Sequence, residues 1–192
     1  MTTVITSRNY DREVQKIINN IIPGCKSINI RVGYFYFSGF SLIAKSLVDK
    51  NIKILVGMEA DKTTNDYLRK FSETVDKDEI LDKPEERDAY FIFKKKLKDG
   101  SLEIRQNKKP DHSKVFIFEY SNKNAKIFNG PGQTMVGSSN FSYSGFITNK
   151  ETNVLLPSKD NFKSLSLDFE DDWKNSIPLL NKENFKDFEK YS

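Results

Sequence analysis

A single α/β domain is the fold the sequence predicts, and three observations predict it. A strand–helix–strand unit opens the chain, a series of short apolar strands broken by turns fills its second half, and a helical tail follows. The 192 residues suffice for one compact domain with a substantial core. Fifteen Phe, eight Tyr and one Trp stock that core, and 37% hydrophobic content excludes a disordered chain.

The elements follow in order. Over residues 10–22, Val14, Ile17, Ile18, Ile21 and Ile22 recur at helical spacing, and Pro23-Gly24 ends the helix. Ile28, Ile30 and Val32 alternate, so 26–36 reads as a strand running into Gly33-Tyr34-Phe35-Tyr36-Phe37. Ser38 is placed to cap a helix over 39–50, and residues 51–57 form a buried strand. That unit makes parallel sheet.

The middle section is polar and reads as helical. Pro84, Glu85 and Glu86 form an acidic first turn, Lys94, Lys95, Lys96 and Lys98 a basic end, and Gly100 a stop. This charge order complements the helix dipole, so the lysine run has a structural explanation beside its possible use as a nucleic-acid contact. Strands are expected at 101–106, 113–120, 125–129, 133–138 and 151–156, with a turn at Asn129-Gly130-Pro131-Gly132. A helix over 158–175 carries Leu165, Leu167, Phe169 and Trp173 as its apolar positions, and a short helix is expected over 181–190.

Composition narrows the function classes. A net charge of +4 and a pI near 8.9 suit a polyanionic partner without requiring one. The single cysteine, Cys25, can form neither an internal disulfide nor a cysteine cluster for structural zinc, and reads as a small buried residue. The first residues lack the apolar core of a signal peptide, and no apolar run approaches the ~20 residues that span a bilayer. A cytoplasmic protein with no membrane association is the expectation.

Chemistry concentrates in two short segments. The one histidine heads His112-Ser113-Lys114-Val115-Phe116-Ile117-Phe118-Glu119. In a strand His112 and Lys114 project to one side, an imidazole able to act as nucleophile or proton carrier beside an ammonium able to hold a phosphate oxygen. Further on, Gly137-Ser138-Ser139-Asn140 ends a strand and enters a turn. The Ser138 hydroxyl and the Asn140 carboxamide can donate to phosphate oxygens there, although the same residues also make an ordinary Gly/Ser/Asn turn. Glu151, eleven residues after Asn140, opens the next apolar strand. Its carboxylate is either simply solvated or the acceptor that fixes the tautomer of a catalytic histidine.

In this order the segments resemble the phospholipase D superfamily, whose signature is HxK(x)4D followed by GSxN. His112, Lys114, the acidic position at Glu119, Gly137, Ser138 and Asn140 match it, and Glu151 stands where the small bacterial endonucleases of the family carry a glutamate. The resemblance covers about residues 10–175. It implies a mixed β-sheet flanked by helices on both faces, and hydrolysis of DNA phosphodiester bonds, with double-stranded DNA the expected substrate, through a phosphohistidine and without metal or other cofactor. Two departures stand out: glutamate replaces aspartate at 119, where strand parity turns it away from His112 and Lys114, and the 120–135 connection is long.

One HxK is half a site, so the resemblance also implies a homodimer that joins two copies of His112, Lys114, Ser138, Asn140 and Glu151 across a two-fold axis. Short domains of this family also occur at the N-terminus of restriction endonucleases and of helicase-linked defence proteins. The chain is therefore expected to be one catalytic domain over 1–192, with room for a fused or associated helicase or DNA-recognition domain. The other classes left open are a non-catalytic nucleic-acid-binding or dimerisation domain, and a lipid or small-molecule phosphodiesterase.

Overall fold

The computed structural model describes residues 2–6, 13–57 and 83–184. Its elements are β1 (Thr3–Thr6), α1 (Glu13–Ile21), β2 (Cys25–Val32), α2 (Phe37–Ser41), β3 (Asn51–Val56), α3 (Pro84–Asp99), β4 (Leu102–Gln106), β5 (Val115–Tyr120), α4 (Asn122–Ile127), β6 (Gly132–Gly137), β7 (Thr152–Leu156), α5 (Lys159–Asn175) and β8 (Ile177–Leu180). The strands form one mixed sheet in the order β1-β7-β6-β5-β2-β3-β4-β8. Strands β2, β3 and β4 run parallel, and every other neighbouring pair is antiparallel.

Alternation along the central strands divides the core between the two faces of the sheet. Ile28, Ile30, Ile52, Ile54, Phe116 and Phe118 pack with α1, α2 and α3 on one side. Leu55, Val115 and Ile117 meet Phe162, Phe169 and Trp173 of α5 on the other. The sheet is thus covered by helices on both faces, as the resemblance implies.

The two faces are held differently. The α1–α3 side is dense with aromatics: Phe40 and Phe93 meet edge to face at 5.1 Å, and Phe35 and Phe141 lie 5.1 Å apart. Truncating a buried Phe of this kind to Ala costs roughly 3–5 kcal/mol. The α5 side mixes apolar rings with cations of the sheet. Lys53 pairs with Glu170 at 2.8 Å and lies over the Trp173 ring, and Arg105 covers the same ring.

Helix α3 begins and ends as its charge order predicts, with Gly100 at φ 81° closing it. One member of the lysine run is structural: Lys96 is buried, and its ammonium donates to the Lys50 carbonyl at 2.5 Å and to Ser101 Oγ at 3.1 Å. Cys25 is buried, which pushes its thiol up to about 12.

Several elements differ from the sequence reading. The strand expected over 26–36 ends at Val32, and residues 33–36 leave the sheet except for a bridge from Phe35 to Phe141. The helix expected over 39–50 is the single turn α2 followed by a 3-10 turn, Ala44–Leu47, and Ser38 lies inside α2 rather than capping a longer helix. Residues 125–129, expected as a strand, belong to α4 and the turn after it. Ser121 caps α4 by accepting from the Asn124 N–H, and the apolar residues behind the strand reading, Ile127 and Phe128, are exposed.

On α5 Leu167 is exposed and Phe162 takes the buried place. Strands β1 and β8 escape the sequence reading, each only four residues long. Residues 58–82 of the polar middle section, and 185–190 of the expected last helix, lie outside the described residues; 181–184 form a turn held by Asn181 Oδ1.

The α1–α3 layer positions the Asn140 loop by direct backbone contact. A Cβ on Gly39 of α2 would stand 2.5 Å from both the Phe141 carbonyl carbon and the Ser142 nitrogen. Gly39→Ala must therefore separate α2 from this loop, and it is expected to destabilise the fold by about 1–3 kcal/mol in chemical denaturation. An unchanged midpoint would show that the loop gives way freely.

Candidate active site

The five residues singled out in the sequence gather at one end of the sheet, at the C-terminal ends of β2 and β6 and the N-terminal ends of β5 and β7. Register brings them there. Val115 of β5 pairs with Val136 of β6, and one step further the Gly137 N–H donates to the Lys114 carbonyl at 3.1 Å. Gly137 in turn pairs with Asn153 of β7, and the Ser138 N–H donates to the Thr152 carbonyl at 3.1 Å. Residues 112–114, 137–140 and 151–152 are thereby laced side by side.

His112 and Lys114 precede β5 rather than lying within it, because the ladder of β5 begins at Val115. His112 is exposed and Lys114 half-buried. The Lys114 ammonium turns back to donate to the His112 carbonyl at 2.5 Å, which keeps the charge beside the histidine.

Ser138 and Glu151 meet directly: the Ser138 hydroxyl donates to Glu151 Oε2, and its oxygen accepts the Thr152 N–H at 3.0 Å. Asn149 Nδ2 approaches the second carboxylate oxygen at 3.4 Å. The carboxylate is held by Asn149, from the segment leading into β7, and by Ser138, just past the end of β6.

Asn140 Oδ1 accepts the Tyr34 N–H at 3.2 Å. A backbone N–H can be met only by the amide oxygen, so the carboxamide orientation is fixed and its Nδ2 is the donor available to a substrate. Behind Asn140, the Tyr36 N–H donates to the Phe141 carbonyl at 2.9 Å, and the Tyr143 N–H to Ser38 Oγ at 3.2 Å. Below the turn, buried Ser139 accepts from Asn153 Nδ2 at 2.9 Å. The GSxN turn is braced from three sides.

Glu119 occupies the far end of β5. It accepts from Ser27 Oγ at 2.5 Å and pairs with Lys26 at 2.9 Å, both structural contacts between β5 and β2. Among the described residues, no group of three or more His, Cys, Asp or Glu side chains is placed to hold a metal ion, and no helix is long and apolar enough to cross a membrane.

Sequence reasoning passed over one charged cluster beside the site. Arg31 of β2, only 8% exposed, points to the α5 side of the sheet. Its Nη1 donates to Asp168 at 2.7 Å, Nη2 lies 2.8 Å from Asp172, and Nε lies 3.6 Å from Asp111, the residue before His112. Only the Nη1 contact has hydrogen-bond alignment; the other two nitrogens are held by charge. The signal was present in the sequence as a lone arginine in an otherwise apolar strand end, Ile30-Arg31-Val32, and an aspartate adjoining the only histidine.

The geometry gathers an imidazole, an ammonium, an amide donor and a carboxylate at one end of a mixed sheet. The chain belongs to the phospholipase D-like family: the family model described as cardiolipin synthase, PLD-like domain, matches residues 17–173. Members of this superfamily are phosphodiesterases and phosphotransferases.

Solved structures share the fold. Nuc, a phospholipase D family member from Salmonella typhimurium, superposes with a TM-score of 0.55 at 15% identity, over 93% of this chain and 97% of its own. NucT from Helicobacter pylori gives 0.56 at 11% identity, over 93% and 98%. The phosphatidylserine synthase of Haemophilus influenzae gives 0.56 at 13% identity, over 94% of this chain and 40% of its own. A comparison with curated protein sequences found no match.

The Arg31 cluster carries three carboxylates for one cation. Burial pushes the Asp172 carboxyl above its ordinary value, Arg31 pulls it down, and Asp168, Asp111 and Asp171 push it up again. A carboxyl raised in the folded state costs more to ionise there than in the unfolded chain. It therefore opposes folding above its folded pKa, and the penalty disappears below the unfolded value near 4. Asp172→Asn is expected to raise the thermal midpoint at pH 7, with the gain shrinking to nothing near pH 3.5. A loss of stability at pH 7 would show that Arg31 needs the Asp172 charge.

Proposed function

We propose that this domain hydrolyses DNA phosphodiester bonds without a metal ion, through a phosphohistidine at His112, in an active site shared by two copies of the chain. The observation that carries the reading is the lacing of the only histidine and Lys114 against Ser138, Asn140 and Glu151 at one sheet end. A lone histidine is an ordinary residue; one set beside a positioned ammonium, an oriented amide and a hydrogen-bonded carboxylate has the parts of a phosphoryl-transfer site.

In the first step an imidazole nitrogen of one His112 attacks phosphorus and the bond to the leaving oxygen breaks. The second His112, from the other copy, gives that oxygen a proton. In the second step the same imidazole takes a proton from water, and the resulting hydroxide displaces the first His112 from phosphorus. Lys114 and Asn140 Nδ2 hold the non-bridging oxygens as negative charge grows on them. Ser138 fixes Glu151, whose carboxylate supports the imidazolium that forms in each half-reaction.

Support for DNA as substrate comes from the net charge of +4, from exposed Lys108, Lys109 and Lys150 adjoining the site segments in sequence, and from the likeness in fold to Nuc and NucT over nearly their whole length. Association with a helicase or a DNA-recognition domain, and a cytoplasmic location, belong to the same reading. A lipid phosphodiesterase is the second reading, favoured by the description of the matching family model.

Digestion of plasmid DNA in EDTA separates them. The wild-type protein is expected to nick or linearise plasmid at undiminished rate in chelator, and His112→Ala to lose turnover by at least 10³-fold with its fold intact. In mixtures, each wild-type–His112→Ala heterodimer lacks one imidazole, so activity should fall faster than the wild-type fraction. Activity that needs magnesium, or hydrolysis of phosphatidylcholine vesicles with DNA untouched, would overturn the proposal.

A further inference from the structure

The imidazole has to meet phosphorus in line, yet His112 precedes β5 and is exposed, outside the hydrogen-bonded ladder that fixes its neighbours. Something other than the β5 ladder must hold the segment that bears it. Asp111 is tied on every side. Its N–H donates to the Gly57 carbonyl at 3.0 Å, and Gly57 is itself bonded to Val32 at the end of β2. Asp111 Oδ1 accepts the Ser113 N–H at 2.8 Å, which folds the chain into a turn around His112. Asp111 Oδ2 accepts from Asn107 Nδ2 at 3.2 Å and faces the Arg31 guanidinium at 3.6 Å.

Two further features show that the site is built to receive this residue. A Cβ at position 57 would stand 2.1 Å from the Asp111 carbonyl oxygen, so only glycine lets the two backbones come so close. Arg31 already has an aligned partner in Asp168 and a second carboxylate in Asp172, both on α5. A third carboxylate adds negative charge to a cluster whose one cation is already balanced. Asp111 alone among the three brings in the chain that carries the histidine.

We propose that Asp111 is a positioning residue for His112, clamping the imidazole-bearing turn to the sheet through Gly57 and to α5 through Arg31. The catalytic consequence rests on the reading of His112 as the reacting group; the structural consequence does not.

His112 is the only histidine, so one pair of imidazole ring resonances reports it without assignment. The test compares wild type, Asp111→Ala, Asp111→Asn and Glu170→Gln, the last removing a carboxylate of α5 that pairs with Lys53 of β3 instead of Arg31. Asp111→Ala is expected to broaden or split the ring resonances and to lower kcat for plasmid cleavage by about 10²-fold with KM little changed, since misplacement of order 1 Å is enough for such a loss. Asp111→Asn, which keeps a side chain able to bond Ser113 but not the charge that faces Arg31, should fall between, and it serves if the alanine variant does not fold. Glu170→Gln should leave the ring signal and kcat as in wild type. A single sharp ring signal at the wild-type position in the Asp111 variants would overturn the proposal, as would equal disturbance by Glu170→Gln. If wild type leaves DNA uncut while the ring signal still depends on Asp111, the clamp stands and the nuclease reading fails.

Discussion

Everything at the active end depends on the antiparallel register of β5 against β6. Val115 opposite Val136 puts the Lys114 carbonyl in reach of the Gly137 N–H, and that bond sets the His-x-Lys segment beside the Gly-Ser-x-Asn turn. A slip of one residue would turn Phe116 and Phe118 from the aromatic core to the α5 side and carry Lys114 away from Ser138. The register is held by burial on both faces: Phe116 and Phe118 pack under α1–α3, while Val115 and Ile117 pack under α5. Core packing and the alignment of the candidate site are one constraint in this molecule.

The second strand pairing extends that logic. Because β7 runs antiparallel to β6, Glu151 and Thr152 return to the same end as Ser138, and the hydroxyl bridges them by donating to the carboxylate and accepting the backbone N–H. Ser138 and Glu151 are thus held by protein partners, the preorganisation that the proposed chemistry calls for. Asn140 shows the same economy. Its oxygen accepts the Tyr34 N–H, which turns the Nδ2 donor end away from that bond.

Much of this was legible in the sequence, for reasons visible in particular residues. Ile28, Ile30 and Val32, and then Phe116 and Phe118, alternate because one face of each strand is buried against aromatics, and period two is the mark such burial leaves. The charge order of Pro84–Asp99 announces its helix because the macrodipole acts along the chain itself. The candidate site was found as spaced motifs, which register then made into neighbours.

What the sequence hid left no periodic mark along the chain. Ile127 and Phe128 looked like strand residues, but the Ser121 cap makes a short helix that leaves them at the surface. Leu167 is exposed because it stands two residues, about 200° of helix turn, from Leu165 and Phe169, whose face meets the sheet. Strands β1 and β8 are too short to carry a pattern of their own and exist through their partners β7 and β4. Arg31 and Asp111 stand eighty residues apart, and no spacing rule joins them.

The proposed chemistry passes phosphorus to a nitrogen of His112, and trapping that bond is its sharpest test. DNA labelled at the scissile phosphate would be mixed with enzyme, stopped within one turnover by alkali, and the peptides examined by mass spectrometry. An acid-labile, alkali-stable adduct is expected on the peptide carrying His112, absent from His112→Ala. Full turnover with no covalent adduct at His112 at any time point would contradict it.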